Sequence, residues 1–173
     1  MSVTVGQRKR LRNGLFGRYF NTYFGDQMNS LTNPTNTEIR DTFSGYSVGS
    51  TDTWLFRGYF LAGTTATNWR FRTTSDDASY LWIGTDSEAV DTSLNTSNAV
   101  VNNGGLHSSR TITSGNLSLT DGVFYPFAVV IGNNTGPGTL TAEWSDNGGT
   151  SWFSNGSQVL FHNPYAPNGY SLE

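Results

Sequence analysis

The feature that most constrains the fold of this chain is the regular alternation of short, aromatic-rich runs with turn residues. Such runs lie at Leu15–Phe20, Trp54–Ala62, Asn68–Thr74 and Val123–Gly132, and turns such as NNGG, NNTGPG and DNGG separate runs of this kind. Aromatic and β-branched residues favour strands, whereas Gly and Asn favour turns. Because Gly, Pro, Asn and Thr interrupt every candidate helical window, we predict an all-β protein.

Two of these runs predict how their strands are buried. In NWRFRTT, Trp69, Phe71 and Thr73 alternate with more polar residues, which predicts a strand with one buried and one solvated face. Val123–Gly132 is the most continuously apolar run, and we predict a central strand there. Pro126, near the start of that run, removes one donor from the sheet ladder.

The remaining runs extend this pattern along the whole chain. RTITSGNLSL (Arg110–Leu119) is predicted to turn at Gly115-Asn116, and GTLTAEWS and SQVLFH follow as the last strands. Repeated short strands with Gly and Asn turns indicate a β-sandwich or a barrel. Neither an internal repeat nor an interdomain linker is evident, so a single domain is expected.

The composition narrows the range of functions. The chain has 173 residues, a net charge of −3 and no cysteine. Nucleic acid is not expected as a main partner, because phosphate contacts need clustered Lys and Arg. Disulfides and cysteine zinc sites are excluded. No apolar run approaches the roughly 20 residues of a membrane span.

The N-terminal segment carries the one basic run, Arg8-Lys9-Arg10-Leu11-Arg12. We interpret this run as a solvated arm, with a tether to an acidic partner as the alternative. The segment lacks the apolar stretch of a secretory signal peptide. Either trimming of a longer precursor or export by another route, such as release with a virus particle, is therefore expected.

Two adjacent aspartates, Asp76 and Asp77, stand at the mouth of the apolar strand SYLWIG. Asp is common in turns, so a solvated polar turn is one interpretation. The other is that the paired carboxylates hold a cation. The dipeptide alone favours the turn, and the choice depends on its surroundings.

These surroundings resemble a known family. The segments GLFGRYF, FRGYFLA, NWRFRTTSDDASYLWIG, VNNGGLH and LTDGVFYPFAVVIGNNTG follow one another as in the PA-fourteen domain, named after the anthrax protective antigen. The resemblance covers about Gly14–Asn163 and implies a jelly-roll β-sandwich of antiparallel strands. It divides the chain into a basic arm (1–13), the sandwich (14–163) and a C-terminal tail (164–173).

One branch of this family, the flocculin and epithelial-adhesin type, binds sugars through calcium. In that branch two consecutive aspartates, often joined by a cis peptide, contribute carboxylates, and a later loop adds an Asn side chain and two carbonyls. The resemblance places the aspartates at Asp76 and Asp77 and the Asn at Asn133. It places the carbonyl donors at Thr135 and Pro137.

Calcium suits this set of donors, since it takes about 6–8 oxygens at roughly 2.3–2.6 Å. The five residues supply five or six oxygens, which leaves positions for two neighbouring hydroxyls of a sugar. The implied carbohydrate-binding residues are therefore Asp76, Asp77 and Asn133. Two departures weaken the transfer of sugar specificity: Ala78 replaces a frequent Gly, and Pro137 replaces a frequent aromatic residue.

Other motifs carry less weight. SDNGGTSW (Ser145–Trp152) resembles a degraded Asp-box and is interpreted as a hairpin stabiliser. The two histidines, His107 and His162, are expected to be structural or exposed.

A glycosidase needs acids about 5–9.5 Å apart across a cleft, which adjacent aspartates do not provide easily, so no enzyme is expected. Glycosylation sequons occur at Asn95, Asn116, Asn133 and Asn155.

The sequence thus predicts a calcium-dependent carbohydrate-binding module on a cell or particle surface. Its expected cofactor is calcium, and its expected partner is a glycan with a vicinal diol. The alternative is a structural or decoration domain of a virion or fibre, without sugar binding and within a larger assembly. Both hypotheses place the protein outside the cell or on a virion surface.

Overall fold

The computed structural model describes residues 11–88 and 91–166. Within these ranges the strands, numbered in chain order, are β1 (Arg12–Asn13), β2 (Leu15–Phe20), β3 (Asn36–Arg40), β4 (Tyr46–Val48), β5 (Asp52–Leu61), β6 (Ala66–Asp76), β7 (Ser79–Ile83), β8 (Val101–Asn103), β9 (Arg110–Thr113), β10 (Leu117–Leu119), β11 (Phe124–Asn133), β12 (Gly138–Ser145) and β13 (Leu160–His162). Short 3₁₀ helices lie at Met28–Ser30, Thr85–Ser87, Asp91–Ser93 and Thr96–Asn98. None of the helices in these ranges has the length and apolar character needed to cross a membrane.

The strands form two antiparallel sheets. The first follows the order β1-β13-β5-β11-β7-β8, and β2 pairs with both β5 and β3. The second follows the order β10-β6-β12-β4, with β9 also paired to β6. The two sheets pack face to face, which confirms the predicted all-β antiparallel sandwich.

The main core lies between the two sheets and is built largely from aromatic rings. Phe60 of the first sheet meets Trp69, Phe71 and Trp144 of the second sheet in edge-to-face contacts, with ring centroids 5.2–5.6 Å apart. Such pairs add about 0.5–1.5 kcal/mol each beyond the burial of their area. This explains why the aromatic runs dominate the sequence pattern.

A second apolar cluster covers the outer face of the first sheet. Phe24, Met28 and Leu31, from the segment between β2 and β3, pack there against Trp82 and Val130. The inner-facing residues of β11 belong to the main core, and Ala128 and Val130 belong to this second cluster. Because both faces of β11 are buried, its sequence is continuously apolar, and its predicted central position is confirmed.

The predicted turn at Gly115-Asn116 does not reverse the chain. β9 and β10 pair one after the other with the same edge of β6. Between them, the backbone N–H of Ser114 donates to the Phe71 carbonyl (2.8 Å), and the Phe71 N–H donates to Ser114 Oγ (3.0 Å). The Ser114 side chain keeps β6 paired across the interruption, which a local turn pattern does not reveal.

A buried ionic network ties the segment after β7 to the first sheet. The carboxylate of Asp91 contacts the guanidinium groups of Arg18 on β2 and Arg57 on β5. Arg57 is fully buried, and its Nη2 also donates to the Ser87 carbonyl (2.6 Å). The segment around Asp91 therefore depends on buried charge as well as on apolar packing.

The ends of the described chain also join the first sheet. Arg12 and Asn13, inside the predicted basic arm, pair with His162 and Phe161 of β13. The buried ring of His162 hydrogen-bonds through Nδ1 to the Gly14 carbonyl (2.9 Å). The first ten residues, with most of the basic run, and the last seven residues of the predicted tail lie outside the described residues.

Candidate metal centre

The two predicted loops meet at one end of the sandwich. Asp76 ends β6 in the second sheet, and Asn133 ends β11 in the first sheet. The backbone N–H of Asn134 donates to Asp77 Oδ2 (3.0 Å), and the Gly132 N–H donates to the Ala78 carbonyl (2.9 Å). Segments 57 residues apart in the chain are thereby in direct contact.

The peptide bond between Asp76 and Asp77 is cis. Asp77 is 7% exposed, and two backbone amides hold its carboxylate: His107 N–H donates to Oδ1 (2.9 Å) and Asn134 N–H to Oδ2. Hydrogen bonds to an ionised acceptor are stronger than neutral ones, so the position of this carboxylate is well defined. Within the described ranges, no donor is bound to the half-buried carboxylate of Asp76.

Asn133 has a fully buried side chain with one unused atom. Its Nδ2 donates to the carbonyls of Gly49 (2.9 Å) and Gly136 (2.7 Å), which defines the orientation of the amide. Its Oδ1 is buried and has no hydrogen-bond partner in the described part of the chain. An unpaired buried acceptor costs about 1–3 kcal/mol, and such an atom calls for an ion or a water.

The loop after Asn133 brings the predicted carbonyl donors to the surface. Thr135 and Pro137 are exposed, and no hydrogen bond between described residues involves either of their carbonyl oxygens. The loop then returns through Gly138, where a Cβ atom would lie 2.6 Å from both the Asp76 carbonyl and Asn133 Cγ. Only glycine allows this close approach of the two segments.

The kinds of donor that these two segments carry fit calcium chemically. Two carboxylates, one unpaired amide oxygen and exposed carbonyls are the oxygen ligands that calcium prefers. No group of three or more His, Cys, Asp and Glu side chains that could hold a metal occurs in the described ranges. A calcium site needs only two acidic side chains when amide and carbonyl oxygens complete it.

The structure adds a residue that the sequence analysis missed. Asp26, in the segment between β2 and β3, accepts the Gly105 N–H at Oδ2 (2.9 Å). Its backbone has φ = 62°, a conformation in which Asp is enriched among non-glycine residues. No motif marks Asp26 in the sequence, because its partner lies 79 residues further along the chain.

Two phenols lie close to these carboxylates. Burial raises the pKa of Tyr23 to about 12, and the charges of Asp26 and Asp77 add to the rise. Burial, followed by the charge of Asp26, also raises the pKa of Tyr80 above its usual range. Both phenols are therefore protonated at neutral pH. Because the charges of Asp26 and Asp77 both raise the pKa of Tyr23, the two carboxylates lie near the same side chain.

Asp26 and Asp77 also hold one shared loop. Asp26 binds the N–H of Gly105, and Asp77 binds the N–H of His107. Between these anchors Leu106 is 63% exposed, beside the candidate centre. The two ring nitrogens of His107 lie 2.9 Å from the Ser108 carbonyl and 3.2 Å from the Asn103 carbonyl, which agrees with the structural role expected for it.

The sequons differ in their accessibility. Asn95, Asn116 and Asn155 are exposed, whereas Asn133 is fully buried. A folded chain therefore cannot present Asn133 as a glycan acceptor. Its side chain is arranged for contacts inside the protein.

Solved structures share this fold. The chain matches the PA14 domain of the antifreeze protein MpAFP with a TM-score of 0.70 and 17% identity, over 90% of this chain and 95% of that one. It matches the Epithelial Adhesin 6 A domain from Candida glabrata, in complex with Galβ1-3GlcNAc, with a TM-score of 0.68 and 12% identity, over 91% and 90%. The PA14 sugar-binding domain from an RTX adhesin gives 0.64 and 18%, over 86% and 97%.

These likenesses define the fold as a single β-sandwich domain of the PA14 type. The family follows from the sequence itself. Residues 53–146, just over half of the chain, match the GLEYA domain, and the chain belongs to the GLEYA domain family. The predicted resemblance to the PA-fourteen family is confirmed. Comparison with curated protein sequences gives no significant match.

Proposed function

We propose that this domain is a calcium-dependent carbohydrate-binding module that acts outside the cell, on a cell or particle surface. The observation that carries the proposal is the buried, unpaired Oδ1 of Asn133, which lies where the Asp76-Asp77 segment meets the loop after β11. Asp76, Asp77, Asn133, Thr135 and Pro137 are the proposed calcium ligands. The adhesin and RTX structures of the same fold, described as sugar complexes or sugar-binding domains, support the choice of ligand.

The residues around the centre have distinct tasks in this proposal. When bound, calcium would offer open coordination positions to two neighbouring hydroxyls of a sugar. Asp77 is held by the two amides, Asn133 is oriented by Gly49 and Gly136, and Gly138 keeps the two segments close. The protonated phenol of Tyr23 and the exposed Leu106 would border the sugar.

A glycan array tests this function directly. We expect binding to glycans that carry vicinal diols in calcium buffer and its loss in the same buffer with a chelator. Binding should be weak for each site, since a shallow site gains little buried area against its ordering costs, so the chain should be displayed in several copies. Binding that is unchanged by the chelator, or no binding at all, would contradict the proposal and favour a structural or decoration role.

The charge of Asp26 provides a finer prediction. Asp26→Asn keeps an oxygen that can accept the Gly105 N–H but removes one negative charge near Asp77. We expect calcium affinity to fall about fivefold, which corresponds to about 1 kcal/mol of lost attraction, and the loss to shrink at high salt. Calorimetric titration with calcium measures both.

Asp121→Asn is the matched control for this experiment. Asp121 precedes β11, at the end of the sandwich opposite Asn133, and it is exposed. The Asp121→Asn substitution removes one negative charge, as Asp26→Asn does, and it should leave the calcium affinity unchanged. Equal affinities for Asp26→Asn and the unmodified chain would exclude an electrostatic role for Asp26.

A further inference from the structure

A concave site lies at the end of the sandwich away from the candidate metal centre. It is a shallow groove of about 260 Å³, lined among others by Thr64, Trp69, Trp144, Asp146, Phe153 and Asn155. Trp69 and Asp76 are seven residues apart on β6, so the groove is roughly 23 Å from the candidate metal centre. The two sites therefore share no side chain.

The hairpin that resembled an Asp-box builds one wall of this groove. Inside it, Ser145 Oγ accepts the Gly149 N–H (2.9 Å), and Asn147 Oδ1 accepts the Ser151 N–H (3.0 Å). Trp144 and Phe153 exchange both backbone hydrogen bonds at its base (2.9 and 3.0 Å). These contacts confirm the hairpin-stabilising role and hold Asp146 and Phe153 in defined positions beside the groove.

The apolar part of the groove is aromatic. Phe153 is 51% exposed, whereas Trp69 and Trp144 are almost buried and form the inner part of the lining. The indole N–H of Trp69 donates to the Thr64 carbonyl (3.3 Å), so this donor is already used within the protein. The groove thus offers aromatic carbon surface to the apolar face of a ligand.

The polar part of the groove offers one acceptor and one donor group. The carboxylate of Asp146 accepts no hydrogen bond from the described residues. Asn155 uses its Oδ1 to accept the Ser157 N–H (3.1 Å), which leaves its NH₂ group as a donor. A hydroxyl both donates and accepts and so satisfies both groups, whereas an ammonium group cannot accept from Asn155.

From this lining we propose that the groove is a second, metal-independent binding site for a single pyranose ring. A pyranose has an apolar C–H face that suits the aromatic lining and a rim of hydroxyls that suits Asp146 and Asn155. The volume of about 260 Å³ lies below the roughly 300–1,000 Å³ of sites for drug-sized molecules, which matches one ring and not an oligosaccharide. The site is independent of the calcium-dependent function proposed above.

The test is an NMR titration of the ¹⁵N-labelled full chain in the presence of a chelator. The probes are the methyl glycosides of galactose, glucose, mannose and N-acetylglucosamine. The indole N–H signal of Trp69 is the reporter, and that of Trp82 is the internal reference, because its indole is buried and donates to the Asn95 carbonyl (2.9 Å). We expect at least one glycoside to shift the Trp69 signal saturably, with a Kd on the order of 1 mM.

Variants separate this site from the metal centre. The shift should persist in Asp77→Asn and weaken at least about fivefold in Phe153→Ser and in Asp146→Ala, since each removes one class of contact. Ile39→Ser, which replaces a residue of similar exposure (50%) on β3, should bind as the unmodified chain does. If Phe153→Ser fails to fold, the binding measured with Asp146→Ala still tests whether the groove is the binding site.

Three results would overturn the proposal. The first is the absence of a saturable Trp69 shift with all four glycosides. The second is a shift that disappears with the chelator or in Asp77→Asn, which would assign it to the metal centre. The third is a shift that neither Phe153→Ser nor Asp146→Ala weakens.

Discussion

Asp91→Ala is expected to lower the free energy of unfolding by about 3–5 kcal/mol, because it removes the carboxylate that faces the fully buried guanidinium group of Arg57 and the partly buried one of Arg18. Arg57 is fully buried, Arg18 is partly buried, and Asp91 contacts both. Without Asp91, both guanidinium groups lose this carboxylate, and Arg57 loses it in a fully buried position. Urea unfolding followed by tryptophan fluorescence measures the change.

Glu38→Ala is the control for this prediction. Glu38 and Arg40 form an ion pair at 2.7 Å, but both side chains are partly exposed and lie on the same strand. Exposed pairs contribute about 0–1 kcal/mol, so Glu38→Ala should change stability little. If Asp91→Ala also cost less than about 1 kcal/mol, the buried network would not hold the segment after β7 in place.

Asp77→Asn is expected to have the largest effect on ligand binding. It removes the charge of the more buried of the two acidic residues among the proposed calcium ligands, and it turns an N–H donor group toward one of the two backbone amides. Loss of one partner of a buried charge pair costs about 2–5 kcal/mol, so calcium affinity should fall at least about 30-fold. Calorimetric titration with calcium measures the loss, and circular dichroism verifies the fold.

Asn133→Ala provides the comparison for Asp77→Asn. It removes a neutral ligand atom together with the hydrogen bonds to Gly49 and Gly136, without changing the net charge. We expect its loss of affinity to be smaller and less dependent on salt. Calcium uptake by Asp77→Asn equal to that of the unmodified chain would remove Asp77 from the ligand set.

Much of the fold could be predicted from the sequence, because the burial of a strand is visible in the local pattern of its apolar and polar residues. The alternation around Trp69, Phe71 and Thr73 corresponds to their burial along β6, and the apolar run after Pro126 corresponds to a strand covered on both faces. The path from Arg110 to Leu119 was predicted wrongly, because the partner of Ser114 lies on a strand 43 residues earlier in the chain.

The candidate site was only partly predictable, because some of its contacts join segments that are distant in the chain. Asp76, Asp77 and Asn133 belong to segments that resemble a known family, and the structure brings those segments together. Whether they bind calcium is still a prediction. Asp26 and the groove beside Phe153 arise from contacts between distant segments. Asp26 has no local sequence signal, and the Asp-box-like motif predicts a hairpin but not the groove beside it.

The burial of Asn133 has a practical consequence for producing this protein. Asn133 begins the sequon Asn-Asn-Thr, and eukaryotic secretory cells attach glycans while a chain is still unfolded. A glycan at Asn133 would have no room beside Gly138 and the Asp76 carbonyl, so the chain could not close around it. Bacterial expression avoids this problem. In a eukaryotic host, Thr135→Ala removes the acceptor signal and keeps the backbone carbonyl of residue 135.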